Sequence, residues 1–151
     1  MQMVLGQSKP EDIYPLYDHD EAPLFNKGNV VMVGDAAHAT FPFIGNGAAQ
    51  AIEDGAVLHA LFAHVKDKSQ IPAAFTAFDE ARRPRALRIV EVSREIGRIY
   101  TYDFREAWKE EDDIDSLQAH CRKLAAFTNE ADLISQNNYA VSAFQRLIRS
   151  F

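Results

Sequence analysis

Residues 29–55 read NVVMVGDAAHATFPFIGNGAAQAIEDG, and this stretch decides the fold class. Four apolar residues, Val30 to Val33, stop abruptly at Gly34 and Asp35. That is the pattern of a buried strand delivering a polar side chain at its C-terminal tip. Pro42, Gly45 and Gly47 then punctuate a link. From Ala48 to Val65 a helix is predicted, with Ile52, Leu58, Leu61, Phe62 and Val65 on or near one stripe. A strand tip that leads through glycines into a helix start is a ligand position in open α/β sheets, because unpaired N–H groups point outward there. Gly45 and Gly47 let the backbone approach a flat ligand, and the small Ala48 and Ala49 keep that approach clear. Asp35 offers an acceptor to hydroxyl groups. The pattern suits a ligand with a polyol and a group that gains from having negative charge stabilised.

Upstream, residues 1–27 carry Pro10, Pro15 and Pro23 among scattered acids and read as loop, with one brief extended piece at Ile13–Tyr17. Downstream, the polar connection KDKSQ (66–70) precedes Pro72, which suits a first helical turn. Phe75 and Phe78 fall one turn apart, and Pro84 is expected to interrupt or kink that helix. From Arg85 onward, Ile89, Val92, Ile96, Ile99 and Tyr100 resume a helical period. Two more helices are predicted at about 115–128 (Leu117, Cys121, Leu124, Phe127) and 138–150 (Tyr139, Ala143, Leu147, Ile148). The acidic string EEDD at 110–113 reads as a linker. One strand followed by four helices cannot make a sheet by itself. The expectation is therefore an α/β fragment, predominantly helical, in which Val30–Val33 is the last strand of a sheet completed by other polypeptide.

Composition narrows the function classes. With 151 residues, 47% apolar and 25% charged, the chain is one ordinary globular domain's worth. A net charge of −6 argues against a nucleic-acid surface, which needs a basic face. The single cysteine, Cys121, excludes an internal disulfide and reads as core. No apolar run is long enough to cross a bilayer, and MQMVLGQSKPEDIYP lacks a signal core, so a cytoplasmic setting is expected.

Two common phosphate-binding readings fail on the letters. GNGAAQ starts like the dinucleotide fingerprint, but Gln50 stands in place of the third glycine, and Glu53 and Asp54 come too soon to be the ribose-binding acid. A P-loop needs a lysine and a Ser or Thr after its glycines, and neither is present.

Gly34-Asp35-Ala36-Ala37-His38, then Pro42, Gly45 and Gly47, then Gln50-Ala51-Ile52-Glu53-Asp54, resembles the second FAD-binding signature of the flavoprotein aromatic hydroxylases, most closely the salicylate hydroxylase-like monooxygenases. The ARRPRA run at 81–86 is similar to the family's following helix. The resemblance implies that Asp35 accepts hydrogen bonds from the ribityl chain of FAD, and that amides around Gly45 to Ala49 face the pyrimidine edge of the flavin. The implied cofactor-binding set is Gly34, Asp35, Ala36, Pro42, Gly45, Asn46, Gly47, Ala48 and Ala49, with Phe41, Pro42 and Phe43 at the aromatic substrate. A helix N-terminus stabilises charge at the flavin edge by roughly 0.3–1 kcal/mol, or about 2 kcal/mol when partly buried. In the implied chemistry, NADH or NADPH reduces the flavin, O2 adds to form a hydroperoxide, and its distal oxygen attacks an electron-rich ring. No catalytic residue and no metal are implied.

Ile44 and Ala49 depart from the family pattern, where a polar residue and a glycine are frequent. The family's N-terminal βαβ unit with its complete GxGxxG, its later Asp-Gly motif and most of its substrate-binding sheet do not occur here. The chain is thus expected to hold one wall of a flavin site, completed by a missing N-terminal half or a partner chain. Residues 1–27 would be a remnant of the substrate-binding region, 28–65 the end of the FAD-binding domain, and 66–151 a C-terminal helical region. The rival expectation is a truncated, non-catalytic helical module.

Several other residues have ordinary structural readings. His38 is expected to orient the loop through a backbone bond, and Glu53 and Asp54 to favour the helix start through its dipole. Arg82, Arg83, Arg85 and Arg88 read as a solvated or salt-bridged face, with a part in holding the dinucleotide end as the weaker alternative. Asp18-His19-Asp20-Glu21 reads as a solvated loop, and His59 and His64 do not share a helix face at ligand spacing.

Overall fold

The computed structural model describes residues 15–101 and 114–149. Ile13 and Tyr14 of the expected extended piece, and the acidic string at 110–113, lie outside the described residues. Residues 15–17 are not in a strand.

The chain first turns back on itself in a short antiparallel hairpin. Strand β1 (Asn26–Lys27) pairs with β2 (Val30–Val31) in the register Asn26↔Val31 and Lys27↔Val30. The loop between them opens with Gly28 at φ +57°, the left-handed geometry that tight hairpin loops demand. The Met32 amide donates to the Phe25 carbonyl at 2.8 Å and extends the pairing. This corrects the expected buried, parallel-type strand: Val30 is 68% exposed and Val33 41%. Within the described residues only β1 pairs with this strand, so the apolar faces of Val30 and Val33 stay open.

Helix α1 (Asp35–His38) follows at once, then a single 3-10 turn at Pro42–Ile44 and helix α2 (Gly47–Phe62). Another 3-10 turn, Lys68–Gln70, leads into α3 (Ile71–Tyr100). Helices α4 (Ile114–Asn129) and α5 (Leu133–Arg149) complete the described fold. Pro84 does not interrupt α3, which runs unbroken for 30 residues, about 45 Å of rise. The proline ring is exposed, and the residues around it are tied by ion pairs, Arg82 and Arg85 to α2 and Arg83 to Asp79. Those contacts offset the lost backbone bond.

Helix α5 starts five residues before the predicted 138. Asp132 caps it, accepting from the Ser135 amide at 2.9 Å and from the Ser135 hydroxyl at 2.6 Å. Cys121 is half-buried rather than core, and Phe127 stays 40% exposed beneath the Arg85 guanidinium.

The core lies where α2, α3 and α5 meet. Ala74, Ala77 and Ala86 of α3 share one buried cluster with Ala140 and Ala143 of α5, and these small side chains bring the helix backbones close. Phe25, Phe78, Leu61 and Phe144 fill the remaining space. The cluster joins residues on both sides of the 65/66 boundary, so that boundary does not separate two packing units.

Candidate functional site

Gly34 sits at φ +56° and ψ −140°, a combination that a Cβ would forbid, and it turns the chain from β2 into α1. Its carbonyl accepts from the Ala37 and His38 amides at 2.9 and 3.0 Å. The result is a four-residue helix whose first residue, Asp35, is exposed while Ala37 and His38 are buried. The Ser93 hydroxyl of α3 donates to the Phe41 carbonyl at 2.7 Å and pins the following loop. Gly45 then adopts φ +61° and closes the 3-10 turn by donating to the Pro42 carbonyl.

Asn46 stands at the cap position of α2 but makes no side-chain cap. Its carboxamide oxygen instead accepts from Gln50 Nε2 at 2.6 Å. The first intrahelical bond runs from the Gln50 amide to the Asn46 carbonyl, so the amides of Gly47, Ala48 and Ala49 belong to the uncapped first turn.

Between α1 and this turn lies an open depression of about 570 Å³. The structure brings Asp35, Phe41, Pro42, Gly45, Asn46, Gly47 and Ala48 together around it. Thr40 and Ala51 also line it and were not anticipated; nothing in the local pattern marks either. The Thr40 hydroxyl oxygen is buried without a hydrogen-bond partner. Of the remaining expected residues, Gly34 is buried, and Ala36 and Ala49 are not on the lining. Phe43 turns the other way: its ring lies edge-on to Tyr100 at 6.2 Å and so close to Gly97 that a Cβ there would meet it at 2.5 Å. The Asp35 carboxylate makes no ion pair or side-chain hydrogen bond among the described residues, although Arg-rich α3 lies nearby in the fold.

Beneath the depression is an ion cluster in which Arg82 and Arg85 are salt-bridged, as one reading of the arginine run expected, but with Arg82 buried. Asp54 Oδ2 accepts from the Gly34 amide at 2.9 Å and from His38 Nε2 at 2.8 Å, and its Oδ1 accepts from Arg82 Nε at 2.8 Å. Arg82 is 0% exposed and also reaches Glu53 Oε2 at 2.6 Å. Arg85 holds both oxygens of Glu53, at 2.8 and 2.9 Å. Three expectations are corrected here. His38 orients the loop through a side-chain bond to Asp54. Glu53 and Asp54 are buried charge partners on the inner face of α2, not dipole partners at its start. Arg82 is interior, whereas Arg88 keeps the expected exposed pairing, with Glu91.

Apolar Ile52, expected on the buried stripe, is 73% exposed because the polar side chains occupy the inner face. Burial pushes the Glu53 and Asp54 carboxyls up, but their bonds outweigh it. Arg85, Arg82 and Gln50 do this for Glu53, and His38, the Gly34 amide and Arg82 for Asp54, so both lie below their ordinary values. The 18–21 loop is likewise less free than expected, since Asp18 pairs with Arg94 and the Arg94 guanidinium also donates to the His19 carbonyl at 2.7 Å.

Residues 16–93 match the family model described as FAD binding domain, which spans just over half of the chain. The chain is 38% identical over 113 residues to 6-methylsalicylate 1-monooxygenase atA of Aspergillus terreus, a match covering 71% of this chain and 25% of that relative. It belongs to the FAD-dependent aromatic hydroxylase family. Solved structures of the family superpose on it. A salicylate hydroxylase substrate complex does so with a TM-score of 0.63 at 32% identity, covering 81% of this chain and 29% of the other. Klebsiella pneumoniae HpxO complexed with FAD and uric acid gives 0.53 at 27%, covering 84% and 30%. The chain therefore spans about a quarter of the first relative's length and under a third of either solved chain. The family's cofactor is FAD. No described helix is long and apolar enough to cross a membrane.

Proposed function

We propose that this chain forms one wall of the flavin site in an FAD- and NAD(P)H-dependent monooxygenase that hydroxylates a salicylate-like aromatic substrate with O2. The observation that carries the proposal is an exposed Asp35 carboxylate facing the uncapped first turn of α2 across an open depression. The residues present fit FAD. A free carboxylate suits the hydroxyls of the ribityl chain, and first-turn amides suit the electron-rich pyrimidine edge. The buried, unpartnered Thr40 hydroxyl adds one more polar group to the same lining.

When bound, the cofactor carries electrons from NADH or NADPH to O2 and delivers one oxygen atom to the ring. The chain's own part is binding and orientation. Asp35 holds the sugar-alcohol chain, and Gly45, Asn46, Gly47 and Ala48 present amides to the ring edge. Pro42 and Phe41 form the apolar rim beside the substrate. Phe43, packed against Gly97 and Tyr100, braces that rim from behind. Gly34, Ala36 and Ala49 act as backbone and spacing residues. Residues 28–65 are the flavin-binding portion, 66–151 the helical support, and 1–27 the connection to the substrate-binding region, in a cytoplasmic protein.

Further polypeptide, in the same or a separate chain, completes the pocket. Supporting this is the run of exposed apolar residues on the hairpin side, Leu24 at 56%, Val30 at 68% and Val33 at 41%. The test is calorimetric titration of the chain with FAD up to millimolar concentration. Saturable binding is expected, and Asp35→Ala should weaken it by about tenfold, the loss of one charge-assisted hydrogen bond. Equal affinity in that variant removes Asp35 from the site. No heat and no saturation favours the helical module without flavin, or a site that takes FAD only with the further polypeptide in place.

A further inference from the structure

The direction in which Asp35 points has to be held by something, because α1 is a single turn of four residues and so short a helix is not stable alone. Its tether is a carboxylate far along the chain. Asp54 Oδ2 accepts from Gly34 N–H, at the entry to α1, and from His38 Nε2, at its last residue, at 2.9 and 2.8 Å. One oxygen thus grips both ends of the turn that carries Asp35, while Asp35 faces outward between them.

Asp54 is itself fixed from below. Arg82 donates through Nε to Asp54 Oδ1, through Nη1 to Glu53 Oε2 and Gln136 Oε1, and through Nη2 to the Gln50 carbonyl and Gln50 Oε1. These are five acceptors for the five N–H donors a guanidinium has, so no donor is left to swing elsewhere. Asp54 and Arg82 are 1% and 0% exposed and do not line the depression. Any effect they have on a ligand there passes through the turn.

We infer that Asp54, backed by Arg82 and paired with His38, is the positioning residue that aims the Asp35 carboxylate at the flavin. The inference rests on the proposed flavin role of the Asp35 turn. It makes His38 a hydrogen-bond donor in the positioning device, and it extends the flavin site through α3 to Gln136 of α5.

Two kinds of substitution separate positioning from bulk stability. His38→Gln keeps an N–H donor near the Nε2 position, and His38→Leu keeps the volume without a donor. Asp54→Asn replaces one acceptor oxygen by a donor that faces Gly34 N–H, His38 or Arg82. In the full chain, FAD affinity is measured by calorimetry below the melting range, with native helix content confirmed by circular dichroism. Hydrogen exchange at the Gly34 amide is followed in the same samples.

His38→Leu and Asp54→Asn are expected to weaken FAD by about tenfold or more and to speed Gly34 exchange by a similar factor, the loss of a buried hydrogen bond. His38→Gln should stay within about threefold of the parent, and Arg88→Ala, on the exposed face of α3, should match it. Folded His38→Leu and Asp54→Asn chains that bind FAD within about twofold of the parent, while Asp35→Ala does not, overturn the inference and leave the flavin reading standing. So does His38→Gln losing as much affinity as His38→Leu, since packing of the ring and not its donor would then be at work. Asp35→Ala that binds FAD as well as the parent overturns the flavin reading and the inference with it.

Discussion

Replacing Arg82 by methionine tests the buried cluster most severely. The substitution keeps much of the side-chain volume but removes five hydrogen bonds and one positive charge from a site that is 0% exposed. Asp54 then loses its only arginine among the described residues, while Glu53 retains Arg85. Breaking a buried ion pair by removing one partner costs about 3–5 kcal/mol, because the charge left behind is uncompensated. With a urea dependence of about 2 kcal/mol per molar, a loss of about 4 kcal/mol moves the unfolding midpoint down by about 2 M.

The pH dependence supplies a second signature. Glu53 and Asp54 have folded values held below their ordinary ones, so their stabilising contribution is complete above the unfolded carboxylate range and is lost as pH falls through the folded values. The parent should therefore lose stability below about pH 4, the ordinary carboxylate range. Arg82→Met lacks the part of that contribution that comes from Arg82, so the gap between the two proteins should narrow on acidification. Urea unfolding of both at pH 7 and pH 4, followed by circular dichroism, reads both effects. A loss below about 1 kcal/mol at pH 7, comparable to that of an exposed pair, would refute the cluster's role. A gap that widens at pH 4 would refute the charge account specifically.

Two further substitutions test the supports around the site. Gly97→Ala places a Cβ 2.5 Å from the Phe43 ring, so the ring must move; a loss of about 1–3 kcal/mol is expected by thermal unfolding, and an unchanged melting temperature would mean that Phe43 packs elsewhere. Asp132→Ala removes both bonds to Ser135 at the start of α5 and should lower the melting temperature slightly, with faster amide exchange confined to the first turn of that helix; unchanged exchange there would mean that the cap contributes nothing.

The sequence carried some of this fold plainly. The glycines at 45 and 47 and the proline at 72 mark real boundaries, because each acts through local backbone geometry, whereas β2 ends at Val31, two residues before the break in apolar sequence after Val33. Asp35 and the Gly45–Ala48 turn do meet around one depression, as their places at a strand tip and a helix start require. What stayed hidden depends on distant partners. Glu53-Asp54 looks like an ordinary acidic helix face until Arg82 and Arg85, about thirty residues on, are folded against it. Ile52 misleads for the same reason: the stripe that periodicity favours is displaced by side chains whose burial is offset by charge. Pro84 misleads because local rules count the lost backbone bond but not the ion pairs on either side. The hairpin partner of β2 is only Asn26–Lys27, too short and too polar to register as a strand.

The central claim is that Asp35 and the first turn of α2 face a flavin. It is tested most directly by amide NMR of the isotopically labelled chain titrated with FAD, FMN and ADP. FAD and FMN should move the amides of Asp35, Gly45, Asn46, Gly47 and Ala48 together, and ADP, which lacks the flavin ring and ribityl chain, should leave them in place. Shifts that ADP alone reproduces, or flavin shifts that leave Asp35 and the first turn of α2 in place, would contradict it.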